Sequence, residues 1–205
     1  MDKVDLYKLY WDEYLASSKE PRFIRSLKAN FLTLNGHGDP RAEQFKAKAR
    51  ALYSVAYGVR TIKRRDGEDF TICKLEAIWW GDEEEKDFAG QPRDRWNWKL
   101  LIRVASSVRE MDRLASTLDR IEKGKNASVV NQVRLETIKE GLCVQMLHIG
   151  PYDNVAETIE KMRAFSKEKG LYFSGNLHEI YLSDPRRAAA KKLRTILRVP
   201  VEKFE

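Results

Sequence analysis

The stretch GLCVQMLHIGPYDNVAETIEKMRAFSKEKG, residues 141–170, contains a β-like run, a turn and an amphipathic helix in succession. GPYDN is made of turn-forming residues, and Asp153 is suited to the helix N-cap. Two further β-like runs, LHEIYLSD (177–184) and LRTILRVPV (193–201), complete a strand–helix–strand–strand unit. The helix has its apolar residues three and four positions apart, and a glycine follows its end (Val155, Ile159, Met162, Phe165 and Gly170).

The same order of elements occurs earlier in the chain. SLKANFLTL (26–34) predicts a strand, Asp39 in the NGHGDP turn is suited to an N-cap, and residues 41–65 predict a long amphipathic helix. The β-like runs FTICKLEAIWW (70–80) and RWNWKLLIRV (95–104) follow. Neither unit buries enough apolar surface alone, so we expect the two to be joined, with a small-molecule pocket at their junction.

The predicted fold is therefore α+β. It consists of two fused strand–helix–strand–strand modules with pseudo-two-fold symmetry, built from antiparallel sheets with helices on one side and a central ligand pocket. We expect a single domain over residues 1–205, and the oligomeric state, monomer or homodimer, stays open. Its parts are an aromatic-rich N-terminal arm (1–25), a first module (26–105), a linking helix (106–125) and a second module (126–205).

Composition excludes several classes of protein. The chain of 205 residues is 42% hydrophobic and 34% charged, which is typical of a globular protein. No run of about 18 apolar residues predicts a membrane span, and the N-terminus does not resemble a signal peptide, so we expect a cytoplasmic protein. Cys73 and Cys143 lie in β-like runs and are expected to be buried and reduced. No Cys or His pair has metal-ligand spacing, so we expect no metal and no cofactor.

The net charge of +7 raises the question of nucleic-acid binding. Basic residues concentrate at 59–65 and at 186–198. Solvated helix ends and an edge strand protected by Lys and Arg explain this pattern more simply. We do not expect a nucleic-acid partner; such a partner would require steeply salt-dependent binding to DNA.

Glu179 is the most informative polar residue, because it lies in an apolar strand. By alternation it shares a face with Leu177 and Tyr181, while Ile180 and Leu182 share the other. Alternation alone leaves open whether Glu179 points to solvent or into a pocket. In an apolar pocket a carboxyl group acquires a raised pKa, which suits either a general base or a cation receptor.

Aromatic residues form a second candidate group. Four tryptophans occur within the two strands of the first module, and core packing is the simpler interpretation for any one of them. Together they are suited to hold a flat or cationic ligand. Trp79 and Trp80 cannot share a face of a regular strand. The expected ligand-contacting residues are Tyr57, Trp79, Trp80, Trp98, Glu76 and Met146.

Three other side chains have simpler interpretations. Glu76 either pairs with a lysine across strands or faces the pocket. His148 and His178 have no acidic partner nearby in sequence and are expected to be histidines of the core or of strand ends.

Six phrases in order resemble the GyrI-like family of small-molecule-binding domains. They are LKANFLTLNGHGDP (27–40), LYSVAYGVR (52–60), KLEAIWW (74–80), RWNWKLLIR (95–103), MLHIGPYDN (146–154) and HEIYLSDPRR…LRTILRVPV (178–201). The family is related to the effector-binding domains of bacterial multidrug-responsive regulators, and its fold agrees with the paired modules described above. The arm is too short for the regulators' helix-turn-helix domain, so the chain is similar to the stand-alone branch.

The resemblance implies a function for Glu179. In this family the glutamate of the corresponding strand lies in the pocket and meets cationic or polar aromatic ligands. Some stand-alone members hydrolyse cyclopropanoid genotoxins, so we expect planar or cationic aromatic ligands and hydrolysis by water, with Glu179 as general base and Tyr181 orienting the water or the ligand. The alternative is a non-catalytic protein that binds drugs or toxins, or that contacts DNA gyrase.

Overall fold

A computed structural model describes residues 3–81, 92–109 and 127–204. Within these ranges the chain forms one large antiparallel sheet, a separate parallel pair of two-residue strands, and helices. The helices are α1 (Leu6–Leu9), α2 (Trp11–Tyr14), α3 (Glu43–Arg65), α4 (Ala127–Val130) and α5 (Val155–Glu168). The strands are β1 (Lys3–Val4), β2 (Arg22–Ser26), β3 (Ala29–His37), β4 (Asp69–Phe70), β5 (Glu76–Trp80), β6 (Asn97–Val104), β7 (Arg134–Ile138), β8 (Gly141–Ile149), β9 (Leu171–Phe173), β10 (Leu177–Tyr181) and β11 (Arg194–Lys203).

The large sheet shows the paired architecture that the sequence predicts. Its order is β2-β8-β11-β10-β5-β6-β3-β7, with β9 paired to the end of β11. One half contains β3, α3, β5 and β6, and the other contains β8, α5, β10 and β11. The halves meet where β5 runs antiparallel to β10, with Ala77 opposite Glu179 and Glu76 opposite Ile180. The α+β class and the fused strand–helix–strand–strand modules are confirmed.

The two long helices cover one face of the sheet. The helix α3 packs on β3 and β6, and α5 packs on β8, β9 and β11, so the central strands β5 and β10 lie between them. The buried side of α3 follows the helical period that the sequence indicates. It consists of Ala51, Leu52, Val55, Ala56 and Val59.

The N-terminal arm covers the opposite face. It forms the two short helices α1 and α2. Tyr14 and Ala16 pack against Leu147, Ile180 and Ile196, which point away from α3 and α5. The sheet is therefore buried on both sides, by helices on one and by the arm on the other.

Helix starts differ from the sequence-based expectation. The helix α3 begins at Glu43, because the Asp39 carboxylate accepts the Arg41 N–H (2.8 Å) and the Asp39 carbonyl accepts the Ala42 N–H (3.0 Å), which makes a separate turn. Asp153 does not cap α5. Instead it pairs with Arg41 and Arg93, each at 2.7 Å.

Strand boundaries also differ. The β-like run 70–80 is divided, because Phe70 pairs with β1 whereas only Glu76–Trp80 joins the large sheet. The strands β2, β7 and β9 have no counterpart in the predicted pattern. The predicted linking helix falls, from residue 110 onward, outside the described residues.

Candidate functional site

Glu179 lies on the helix-covered face of the sheet, at the centre of β10. Its register partner Ala77 belongs to the apolar core beneath the helices, as do Leu177 and Leu197 beside it. The Glu179 side chain is buried, with 7% of the residue exposed. The alternation of β10 left its direction open, and the packing of α3 and α5 on this face answers that question.

Tyr181 is the hydrogen-bond partner of Glu179. The two residues are on the same face because they are two positions apart in a strand. The Tyr181 hydroxyl donates to Oε2 of Glu179 at 2.7 Å. Burial raises the pKa of the Glu179 carboxyl, and the Tyr181 donor opposes part of that rise. The pKa of Tyr181 is itself raised by burial and by the neighbouring carboxylate, so the phenol keeps its proton.

Aromatic rings continue from this carboxylate along the same face. Trp79 lies opposite Trp98 in the pairing of β5 with β6. Phe45, in the first turn of α3, stacks on Trp79 at 5.8 Å and meets Trp98 edge-on at 4.8 Å. Trp96 meets Trp79 edge-on at 5.8 Å. The result is an aromatic surface extending from the first module to the carboxylate of the second.

The indole N–H of Trp79 is a buried donor. Trp79 is 4% exposed, and among the described residues its Nε1 has no partner of standard hydrogen-bond geometry. It nevertheless lies close enough to lower the pKa of both Glu179 and Tyr181. An unpaired buried donor costs free energy, so this N–H is suited to a water or a ligand oxygen held against Glu179.

Tyr152 adds a ring from the turn before α5. It meets the Tyr181 ring edge-on, with centroids 5.6 Å apart. Burial and the Glu179 carboxylate raise the pKa of Tyr152 to about 12. Sequence reasoning missed Tyr152 and Phe45 as site residues. Phe45 lies in the first turn of α3, and Tyr152 lies in the turn before α5. An aromatic residue at the start of a helix that packs beside the central strands was the sequence feature that could have identified them.

Three of the predicted ligand-contacting residues lie outside this cluster. Tyr57 is on the outer side of α3 and is 55% exposed, whereas Tyr53, one turn earlier, points inward and accepts the Leu75 N–H at 2.9 Å. Glu76 and Trp80 point to the opposite face of β5, because they alternate with Ala77 and Trp79.

Met146 and Trp98 are on the same face as Glu179. Met146 lies in β8, opposite Leu197, which is itself opposite Glu179. Both side chains are buried, with Met146 at 2% and Trp98 at 0% exposure. They form the floor beside the carboxylate, two strands away on either side.

In 3–81, 92–109 and 127–204 no group of three His, Cys, Asp or Glu side chains is arranged to hold a metal ion. The same ranges contain no helix with the length and apolar character needed to cross a membrane.

Comparison with known proteins decides the family. The family model that describes the GyrI-like small-molecule-binding domain matches residues 19–202 of this sequence. The chain belongs to the GyrI-like family. None of the curated proteins compared with it matches significantly.

Similar solved structures extend over nearly the whole chain. An uncharacterized conserved protein from Listeria innocua is 34% identical with a TM-score of 0.88, and the alignment covers 98% of this chain and 100% of that one. A protein described as a hydrolase, also from Listeria innocua, is 33% identical with a TM-score of 0.84 and the same coverage. The EcmrR C-terminal domain shares the fold at 12% identity and a TM-score of 0.57, covering 90% of this chain and 98% of that domain.

This membership makes the protein a small-molecule-binding domain. Within it, the face between α3 and α5 is the candidate site, because Glu179, Tyr181 and Trp79 meet there at the junction of the two modules.

Proposed function

We propose that this GyrI-like protein binds planar aromatic molecules between its two long helices and hydrolyses cyclopropanoid genotoxins there. The observation that carries the proposal is the buried Glu179 carboxylate, which has a phenolic donor at 2.7 Å and, beside it, the indole N–H of Trp79, which has no partner of standard hydrogen-bond geometry among the described residues. The Listeria innocua relative described as a hydrolase, 33% identical over nearly the whole chain, supports an enzymatic function.

The proposed reaction adds one water molecule to the substrate. Glu179 takes a proton from the water, and the water oxygen forms a bond to the unsubstituted cyclopropane carbon. The ring C–C bond breaks, and its electron pair moves into the conjugated dienone, which becomes a phenolate. The phenolate then takes up a proton, which gives the phenol, and Glu179 releases the proton that it removed from the water, so that the net change is addition of one water. Buried, weakly solvated carboxylates are stronger bases than exposed ones, and base catalysis typically contributes about 10²–10⁴-fold.

The other side chains would position the substrate. The surface formed by Trp79, Trp96 and Phe45 is suited to a flat ring system, and such stacking contributes about 0.5–1.5 kcal/mol per aromatic pair. Tyr181 would fix the carboxylate, and the Trp79 N–H would hold the attacking water or a ligand oxygen. Ring strain in the substrate leaves the protein mainly the tasks of orientation and exclusion of bulk water.

The test is turnover of a duocarmycin-type cyclopropanoid, followed by mass spectrometry for the product that has gained one water. We expect many turnovers per protein molecule for the wild type. Glu179→Gln should lose at least about 100-fold in kcat while binding the compound within a few-fold of wild type. Glu157→Gln, on the exposed side of α5, is the matched control and should keep full activity.

Two results would refute the proposal. Stoichiometric binding with no ring-opened product would identify a non-catalytic binding protein. Unchanged turnover in Glu179→Gln would remove Glu179 from the mechanism.

A further inference from the structure

A network of buried ionisable side chains lies on the sheet face opposite the candidate site. The N-terminal arm covers it and contributes one member. Every member is nearly inaccessible to solvent, with side-chain exposures between 1% and 9%. The members are Glu13, Glu76, Arg103, Glu140, His178 and Arg198.

His178 is at the centre of this network. Its Nε2 lies 2.9 Å from Oε2 of Glu76, at ion-pair distance but outside standard hydrogen-bond geometry, and its Nδ1 is hydrogen-bonded to Oε1 of Glu140 at 3.0 Å. Glu140 also pairs with Arg198 at 3.3 Å, and Tyr14 of the arm donates to Oε1 of Glu76 at 3.1 Å. The contact between His178 and Glu76 joins the two modules, because His178 belongs to β10 and Glu76 to β5.

This contact lies directly beneath the candidate site. His178 precedes Glu179 in β10, and Glu76 precedes Ala77, the register partner of Glu179, in β5. A shift of β5 along β10 would therefore move Trp79 relative to the Glu179 carboxylate. A misplacement of about 1 Å can cost about 10²-fold in rate.

We propose that Glu76 and His178 are positioning residues that fix β5 against β10 and so set the distance between Trp79 and Glu179 on the opposite face. This inference rests on the proposed function of the site around Glu179. Glu76 then acts by holding β5 in place and not, as the sequence predicted, by contacting the ligand.

The charges around His178 keep this contact intact at neutral pH. Burial lowers the pKa of His178, but Glu140 and Glu76 together outweigh burial and raise it to about 9. The groups that face it are Glu76 from β5, Glu140 from the turn before β8, Arg198 from β11 and, through Glu76, Tyr14 from the arm. With His178 protonated, the network contains three basic side chains opposite its three acidic ones.

The test compares Glu76→Gln, His178→Gln and their double variant by steady-state turnover of the duocarmycin-type compound. Each single variant should lower kcat at least 10-fold, with KM within about threefold of wild type. The double variant should be no worse than the poorer single variant, because both remove one contact. If one single variant does not fold, the other carries the test.

Glu13→Gln is the matched control. It removes a carboxylate of the same buried network that pairs with Arg103 and Arg198 and lies on neither β5 nor β10. It should lower stability and leave kcat within threefold of wild type. A kcat loss in Glu13→Gln equal to that in Glu76→Gln would overturn the inference, since the effect would then be general destabilisation.

Amide hydrogen exchange separates this inference from the proposed function. Glu76→Gln and His178→Gln should speed exchange of the β5 and β10 amides at least 10-fold relative to those between β3 and β6, and Glu13→Gln should not. A wild type without turnover would refute the proposed function, while faster exchange at β5 and β10 would still support the structural link. Unchanged exchange in both variants would overturn the inference.

Discussion

The Tyr181 hydroxyl is the donor that most directly tunes the Glu179 carboxylate. Burial raises the pKa of Glu179, and the hydrogen bond from Tyr181 opposes that rise. A general base works only when deprotonated, so the balance between these effects sets the pH at which the site becomes active.

Tyr181→Phe should therefore move the acidic limb of the pH–kcat profile to higher pH. Removing the donor leaves burial less opposed, so the pKa of Glu179 rises and less carboxylate is present at a given pH. The measurement is turnover of the cyclopropanoid between about pH 4 and pH 9.

Tyr152→Phe is the control for this variant, since its ring contacts Tyr181 at 5.6 Å without being the donor to Glu179. Its acidic limb should stay within a few tenths of a pH unit of wild type. A limb that is unmoved, or lower, in Tyr181→Phe would contradict the assignment.

For single residues, the sequence predicted which side chains share a face of a strand better than it predicted which side of the sheet that face is on. The strand period placed Glu179 with Leu177 and Tyr181, and the register confirms that grouping. It did not indicate the direction of Glu76, because an isolated strand has no information about which face the helices cover. Arg198 belonged to a basic stretch interpreted as solvated, yet it is 2% exposed, because its acidic partners are distant in sequence.

Among the elements, the pairing of β3 with β6 limits what can replace Gly36. A Cβ at Gly36 would lie 2.0 Å from the Trp98 ring, so the glycine allows the indole to lie flat across β3. Trp98 in turn contacts Phe45, which stacks on Trp79.

Gly36→Ala should destabilise the protein by about 1–3 kcal/mol through overpacking, and it should change the near-ultraviolet circular dichroism of the tryptophans. Urea unfolding measures the free energy. Asn35→Ala, exposed on the same strand, is the control and should stay within about 0.5 kcal/mol of wild type. Equal stabilities would show that the space around Gly36 is not limiting.

The arm formed by α1 and α2 is a structural element rather than a tail. Glu13 pairs with Arg103 of β6 at 2.9 Å, and its carbonyl accepts from Arg198 of β11 at 2.6 Å, so one residue of the arm contacts both modules.

Glu13→Gln should cost about 3–5 kcal/mol in unfolding free energy, because it removes the charge facing two buried guanidinium groups. Asp12→Asn is the control: Asp12 pairs with Arg22 but is 49% exposed, so its loss should cost at most about 1 kcal/mol. Similar costs for the two variants, measured by urea unfolding, would show that burial of the Glu13 pair does not matter.

Long periodic elements were predicted well and short ones were not. The helix α3 has an apolar stripe over many turns, so its existence follows from its own residues. The strands β2 and β7 are short and partly polar, and they form because β8 and β3 offer free edges. The N-cap of α3 is Ala42, three residues after the predicted N-cap Asp39, because Asp39 caps a local turn instead.

For the whole molecule, His178 links stability to pH. Its folded-state pKa of about 9 lies above its ordinary value of 6.5, so protonation favours the folded state. This contribution is complete below about pH 6.5 and is lost as the pH rises through about 9.

The wild type should therefore become less stable between about pH 6.5 and pH 9, and His178→Gln should lose less over that range. Urea unfolding at several pH values measures the slope. His148→Gln is a control on the helix-covered face of the large sheet, where the His148 ring contacts the Thr158 hydroxyl at 2.9 Å and the Pro151 carbonyl at 3.1 Å. Parallel slopes for wild type and His178→Gln would contradict the charge assigned to His178.

The architecture of the whole molecule followed from the repeated order of elements, since each half needs a partner to bury its sheet. The buried network did not, because its members come from positions as far apart as Glu13 and Arg198 and meet only after the modules and the arm are assembled. The spacing of residues in one helix or strand predicts which side chains share a face of that element. It does not predict contacts between side chains of different elements, and this network consists of such contacts.

The most direct measurement is a crystal structure of the protein with a bound planar aromatic cation such as rhodamine 6G. The ligand should lie between α3 and α5, with its ring plane against Trp79 and a polar atom within hydrogen-bond distance of Glu179 or the Trp79 N–H. Ligand bound elsewhere, with Glu179 and Trp79 uncontacted at full occupancy, would contradict the assignment of this face as the binding site.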